Sequence, residues 1–253
     1  MTKGLILAGG SGSRLFPITK VLNKHLIPIG KYPMIHYPLR TMLRSGIREI
    51  MIVSNADSIG PISKLLGSGA EFGCNFYYRV QDHPAGISDG IRLARNFVAP
   101  EDKLMVVLGD NLTTETFDER VSEFERSTTG CCIFLKELAS LDGLGVARIE
   151  DGVVTEIVEK PTAFVSNKAV TGIYLFDSRC FDLIEELYPS DRMEIEVTDL
   201  INRYIAMNSC EAHVLSGTWM DAGTFESLKY AADLLGNGTH QVDSLEAEPA
   251  LSL

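Results

Sequence analysis

The strongest constraint on the fold of this chain is an alternation. Apolar runs that read as strands, at Lys3–Ala8, Glu49–Val53, Asn75–Val80 and Lys103–Leu108, are separated by stretches with helical spacing near residues 38–45, 58–66 and 87–96. Strands separated by helices predict a parallel sheet with crossover connections. Further strands are expected at Cys131–Leu135, Val146–Ile149, Val153–Val158, Val170–Phe176 and Ala212–Leu215, with helices near 116–127, 179–187, 195–206 and 224–235. Asp151-Gly152, between two β-rich runs, is a hairpin turn signal. The expected class is α/β: a Rossmann-like, mixed but mostly parallel sheet with helices on both faces. A single domain should occupy residues 1–235. Gly236–Leu253 holds three acids, no Lys or Arg and little apolar periodicity, so a flexible acidic tail is expected there.

Several function classes are disfavoured at once. No apolar run approaches the ~20 residues of a membrane-crossing helix, and Met1 leads within two residues into a strand. A soluble, cytoplasmic protein is expected. The five cysteines, Cys74, Cys131, Cys132, Cys180 and Cys210, form no CxxC pair, and their odd number argues against a disulfide framework. Charge is unevenly placed: residues 1–48 hold eight Lys and Arg and no acid, whereas the rest of the chain carries −19. An acidic protein is a poor general binder of nucleic acid, but a local basic loop suits a small polyanion such as a nucleoside triphosphate.

The sharpest local feature lies inside that basic head. Leu5-Ile6-Leu7-Ala8 reads as a buried strand, and Gly9-Gly10-Ser11-Gly12-Ser13-Arg14 follows directly. Glycines let the backbone approach a ligand and aim N–H groups at phosphate oxygens. A dinucleotide fingerprint would need glycine where Leu15 stands, and Pro17 opposes the helix that should follow. The Walker pattern also fails, because no Gly-Lys-Ser/Thr closes the loop. Arg14 within the turn and Lys24 ten residues later supply cations suited to a transferring phosphoryl group.

The run Leu7-Ala8-Gly9-Gly10-x-Gly12-x-Arg14-Leu15-x-Pro17, with Thr19-Lys20, Asn23-Lys24 and Pro28, resembles the signature of the sugar-1-phosphate nucleotidylyltransferases, especially their thymidylyltransferase branch. The likeness continues in order through Lys31–Ile35, Leu108–Asn111, Glu159-Lys160-Pro161, Val170–Tyr174, Arg192–Asp199 and Trp219–Thr224. It covers about residues 3 to 230.

The resemblance implies transfer of a nucleotidyl group from dTTP or UTP to a sugar 1-phosphate, with glucose 1-phosphate the first candidate and pyrophosphate released. It assigns Leu7, Gly9, Gly10, Gly12, Gln81 and Gly86 to the nucleotide. Asn111, Gly145, Glu159, Val170 and Arg192 are assigned to the sugar phosphate, and Arg14, Lys24 and Lys160 to catalysis. Asp110 and Asp221 would hold Mg²⁺, which takes one or two carboxylates plus substrate phosphates. The Gln81 amide both donates and accepts, as the imide edge of a pyrimidine requires. His25, His36 and His83 lie in no such motif and are expected to be structural or surface residues.

Three departures stand out. Leu144 replaces the Tyr usual before the sugar-strand glycine, Met193 stands where glycine is common, and only the short acidic tail follows the helix near 224–235. The family's effector site and tetramer are therefore not carried over, although self-association stays open. Among rivals, a nucleotide-sugar glycosyltransferase would show Asp-x-Asp, which Asp110-Asn111-Leu112 lacks. A non-catalytic nucleotide sensor would have no need to keep Arg14, Lys24, Asp110, Lys160 and Asp221 together.

Overall fold

A computed structural model describes residues 1–10 and 12–236. Along the chain it contains β1 (Thr2–Leu7), β2 (Pro28–Ile29), β3 (Tyr32–Pro33), α1 (His36–Arg44), β4 (Glu49–Ser54), α2 (Ala56–Leu66), β5 (Asn75–Val80), α3 (Ile87–Arg92), β6 (Lys103–Leu108) and β7 (Asn111–Thr113). There follow α4 (Asp118–Arg126), β8 (Cys131–Glu137), β9 (Val146–Glu150), β10 (Val153–Val158), β11 (Lys168–Asp177), α5 (Cys180–Glu185), α6 (Val197–Ala206), β12 (Cys210–Val214), β13 (Trp219–Asp221) and α7 (Phe225–Gly236). The class is α/β with a mixed sheet, as expected. The tail expected over Gly236–Leu253 lies outside the described residues, apart from Gly236 at the end of α7.

The chain divides into two compact units. The first comprises Lys3–Pro84, Val107–Glu119 and the chain from Gly217 onward; the second comprises Met1–Thr2, Ala85–Val106 and Arg120–Ser216.

In the first unit β1, β4 and β5 run parallel, with Leu5 opposite Met51 and Ile50 opposite Phe76. Crossover helices follow from local chemistry. The Asn55 side chain accepts from the Ser58 N–H at 3.0 Å and starts α2. Pro38 sits in the first turn of α1, where its missing N–H has no intrahelical partner to lose. The same unit holds a two-stranded ladder of β7 with β13, in which Met220 faces Leu112. Both side chains enter a core with Ile29, Met34, Tyr37, Ala222 and Ala231. Since side chains alternate along a strand, Asn111, Trp219 and Asp221 are set on the opposite face from that core.

In the second unit the strand order is β10-β9-β11-β6, and β8 pairs with both β11 and β12. The β9–β10 hairpin turns at Asp151 and Gly152, both at positive φ (50° and 80°), as the Asp-Gly signal predicts. The sequence places helix 87–96 too long: α3 stops at Arg92, and turns follow. The short strands β2, β3, β7 and β13 were not expected, because two or three residues carry no period.

The Asn202 side chain acts on β10 as a neighbouring strand would. Its Oδ1 accepts from the Ile157 N–H and its Nδ2 donates to the Ile157 carbonyl, both at 2.8 Å. Asn202→Ala should therefore lower stability by about 1–3 kcal/mol in urea unfolding, the cost of leaving part-buried backbone groups unpaired. An unchanged midpoint would contradict this role.

Candidate functional site

The glycine turn opens where β1 ends. Ala8 donates its N–H to the Val53 carbonyl at 2.7 Å, and the Ser54 hydroxyl donates to the Ala8 carbonyl at 2.7 Å, so the turn starts from a fixed point. Gly12 adopts φ 60°, and a Cβ there would stand 2.8 Å from Thr19 Cγ2. Only glycine fits that combination. The Thr19 hydroxyl closes the turn by donating to the Gly12 carbonyl at 2.7 Å. Three short 3-10 turns follow, at Ser13–Leu15, Ile18–Lys20 and Lys24–Leu26, and no α-helix starts at the loop. Gln81 Oε1 lies 3.1 Å from where a Cβ on Gly9 would be. The first unit thus gathers Leu7, Gly9, Gly10, Gly12, Arg14 and Gln81 around one turn.

The two candidate metal ligands meet in the same unit. Gly109 donates to the Leu7 carbonyl at 2.9 Å, carrying the chain from β6 past the glycine turn. Asp221 is the register neighbour of Asn111, and Ala222 donates to the Asp110 carbonyl at 2.8 Å. Two acids far apart in sequence are so placed side by side. The Lys24 ammonium donates to Asp110 Oδ2, and the Arg14 guanidinium lies 3.7 Å from Asp221 Oδ2.

Their electrostatics differ. Burial pushes Asp110 upward, but the Lys24 charge and hydrogen bond outweigh it and hold the carboxyl well below the usual carboxylate range. Asp221 is pushed up to about 6, first by burial and then by the negative charge of Asp110, with Lys24 and Arg14 offsetting part of the rise. Among the described residues, no hydrogen bond reaches the buried Asp221 Oδ1. A crowded pair of carboxylates with an orphaned oxygen fits a hard divalent cation. Among the described residues no group of three or more His, Cys, Asp and Glu could hold a metal, so water or substrate phosphates would complete the coordination around the two carboxylates.

Beneath this pair sits His25, 1% exposed. Asn23 Oδ1 accepts from both the His25 N–H at 2.8 Å and its Nδ1 at 2.9 Å, while Asn23 Nδ2 donates to Ser58 Oγ at 2.8 Å. Asn23 thereby caps the turn that presents Lys24. Burial, reinforced by Lys24, lowers His25 to about 3.

The second unit gathers Gly145, Glu159, Lys160, Val170 and Arg192. Val170 donates to the Gly145 carbonyl at 2.8 Å, and a Cβ on Gly145 would meet Thr198 Cγ2 at 3.1 Å and Glu159 Oε2 at 3.5 Å. Just beyond the end of β10, Lys160 sits at φ 42° with Nζ 3.4 Å from Glu159 Oε1. Arg192 is not the free fork that its place before a helix suggests: Nη2 donates to Glu159 at 2.9 Å and Glu196 at 2.8 Å, with Glu194 3.7 Å away. Burial and Glu196 raise the Glu159 carboxyl, against the pull of Arg192. Met193 adopts φ 60°, the conformation for which glycine is the unstrained choice. Gly86 belongs to this unit, unlike Gln81. At φ 97° it lies against the Ile195 carbonyl, 2.6 Å from where its Cβ would stand.

Sequence reasoning gave no role to Asn23 and Glu196, whereas His25 is structural, one of the two places expected for it. The Asn23 capping position, two residues before His25, and the i, i+4 spacing of Arg192 and Glu196 were the available signals.

The pattern of the family described as Nucleotidyl transferase matches residues 3–237. A glucose-1-phosphate thymidylyltransferase of Neisseria meningitidis is 35% identical over 237 residues, covering 92% of this chain and 82% of that protein. Its namesake from Xanthomonas campestris is 37% identical, with 92% and 80% covered. A Bacillus anthracis crystal structure, described as a glucose-1-phosphate thymidylyltransferase in complex with a sucrose, gives a TM-score of 0.89 at 43% identity over 96% of this chain and 99% of that one. A UDP-glucose pyrophosphorylase complexed with UDP-glucose shares the fold, with a TM-score of 0.83 at 24% identity over 94% and 100%.

Because His25 is kept neutral when folded but protonates near its ordinary value when unfolded, acid favours the unfolded chain. Stability should fall by about 2 kcal/mol from this group between pH 7 and pH 5. Urea unfolding of the wild type and His25→Gln at both pH values measures it: the variant should lose less stability, and identical losses would contradict the buried neutral imidazole.

Proposed function

Since this chain belongs to the Nucleotidyl transferase family, we propose that it joins a nucleoside triphosphate to a sugar 1-phosphate, releasing pyrophosphate and a nucleotide-diphosphate sugar. The main support is the pair Asp110 and Asp221, brought together where Asp221 pairs with Asn111 and Ala222 donates to the Asp110 carbonyl, and matched by Lys24 and Arg14. The names of the relatives favour dTTP and glucose 1-phosphate. Gln81 beside Gly9 suits the donor–acceptor edge of thymine or uracil, which keeps UTP as the second nucleotide.

The chemistry assigned to the residues is a displacement. A sugar-1-phosphate oxygen is anionic at neutral pH, so it needs alignment and charge shielding more than a general base. Backbone N–H groups of the glycine turn and Arg14 would hold the leaving phosphates. Lys24 would neutralise charge at the α-phosphoryl group. Lys160 would take the sugar phosphate as a point charge, and Arg192, anchored by Glu159 and Glu196, would present its remaining donors to the same group. Glu159, Gly145, Val170 and Asn111 would meet the sugar. A Mg²⁺ ion held by Asp110 and Asp221 would supply charge neutralisation at the phosphates when bound.

Pyrophosphate release from a panel of nucleoside triphosphates and sugar 1-phosphates, with and without Mg²⁺, tests this directly. Thymidine and uridine triphosphates should lead, and chelation should abolish turnover. Lys160→Ala should raise the KM for the sugar phosphate about tenfold or more and leave that for the triphosphate nearly unchanged. Equal losses for both substrates would overturn this division of roles.

A further inference from the structure

We infer that Trp219 is a positioning residue for the metal ligand Asp110, acting through the side-chain amide of Asn111. This extends the proposed metal role of Asp110 and rests on it. Trp219 Nε1 donates to Asn111 Oδ1 at 2.7 Å, and Asn111 Nδ2 donates to Asp110 Oδ1 at 3.2 Å. All three residues are buried, and the ladder of β7 with β13 sets Trp219 and Asn111 on one face, diagonal to each other.

The direction of each bond fixes the next. An indole N–H can only donate, so the Asn111 oxygen must face Trp219. That turns the amide nitrogen toward Asp110, whose ionised carboxylate can only accept. Lys24 engages the other carboxylate oxygen. Both oxygens of Asp110 are therefore oriented before a cation arrives, one by Asn111 and one by Lys24. Without the indole donor the amide loses the bond that holds its oxygen side, and its Nδ2 engages Asp110 Oδ1 less firmly, so the carboxylate is less tightly oriented. Partners that orient a ligand in this way typically alter metal affinity ten- to a hundredfold when removed.

The chain contains a single tryptophan, which makes the relay measurable without turnover. Mn²⁺ alone, titrated onto the wild type and Trp219→Phe with free metal read by electron paramagnetic resonance, should bind the variant ten- to a hundredfold more weakly. Phe keeps an aromatic ring in the buried position but removes the donor. Equal Mn²⁺ affinity in the two proteins would overturn the relay and leave the metal site intact. Absence of Mn²⁺ binding to the wild type would instead overturn the proposed metal role, and the relay with it.

A second measurement needs no variant. In a proton–nitrogen correlation spectrum of the wild type, the one indole N–H should be protected from solvent exchange and broadened by Mn²⁺. An indole signal that exchanges freely, or is indifferent to Mn²⁺, would overturn the inference.

Discussion

Everything in the first unit is organised around a repulsion. Asp221 pairs with Asn111 at the end of a short ladder and Asp110 directly precedes that rung, and Asp221 is raised to about 6 by burial and by the charge of Asp110. Such an arrangement disfavours the empty protein unless cations offset it. Lys24 and Arg14 do so in part, one against each carboxylate. The orphaned oxygen of Asp221 marks what they leave undone. In the proposed function a divalent cation and a polyphosphate would relieve this repulsion on binding, while the ladder packs on a core of Ile29, Met34, Tyr37, Leu112 and Met220.

The second unit uses the opposite balance. Arg192 lies among Glu159, Glu194 and Glu196, and Lys160 reaches Glu159 as well, so two cations are shared by three acids. Arginine keeps five donors on a planar fork, and pairing some of them with Glu159 and Glu196 fixes the orientation of the others. The strained φ of Lys160 and of Met193 falls at the two loops that carry these groups, where backbone strain often accompanies function.

How much of this was legible in the sequence depends on what each element uses to define itself. Asn75–Val80, Lys103–Leu108 and Val153–Val158 have the expected bounds, because each is a β-prone run with turn chemistry at its ends. The glycine turn was readable for the same reason: Gly12 is required by its own φ. The β7–β13 ladder was not, since three residues hold no period and their pairing joins segments about a hundred positions apart. The links between Asn111 and Trp219, and between Arg192 and Glu196, depend on side-chain placement that spacing alone leaves open. His25 illustrates the limit: its sequence context gave no motif, yet burial and a bond to Asn23 make it part of the floor beneath Asp110.

The central claim is that Asp221 is charged at an energetic disadvantage which metal and triphosphate relieve. Thermal unfolding of Asp221→Asn with and without Mg²⁺ and thymidine triphosphate tests it most directly. The account predicts a variant at least as stable as the wild type when empty, because a like charge has been removed, and little or no stabilisation when both ligands are added. A variant that is less stable when empty, yet gains as much from the ligands as the wild type does, would contradict it.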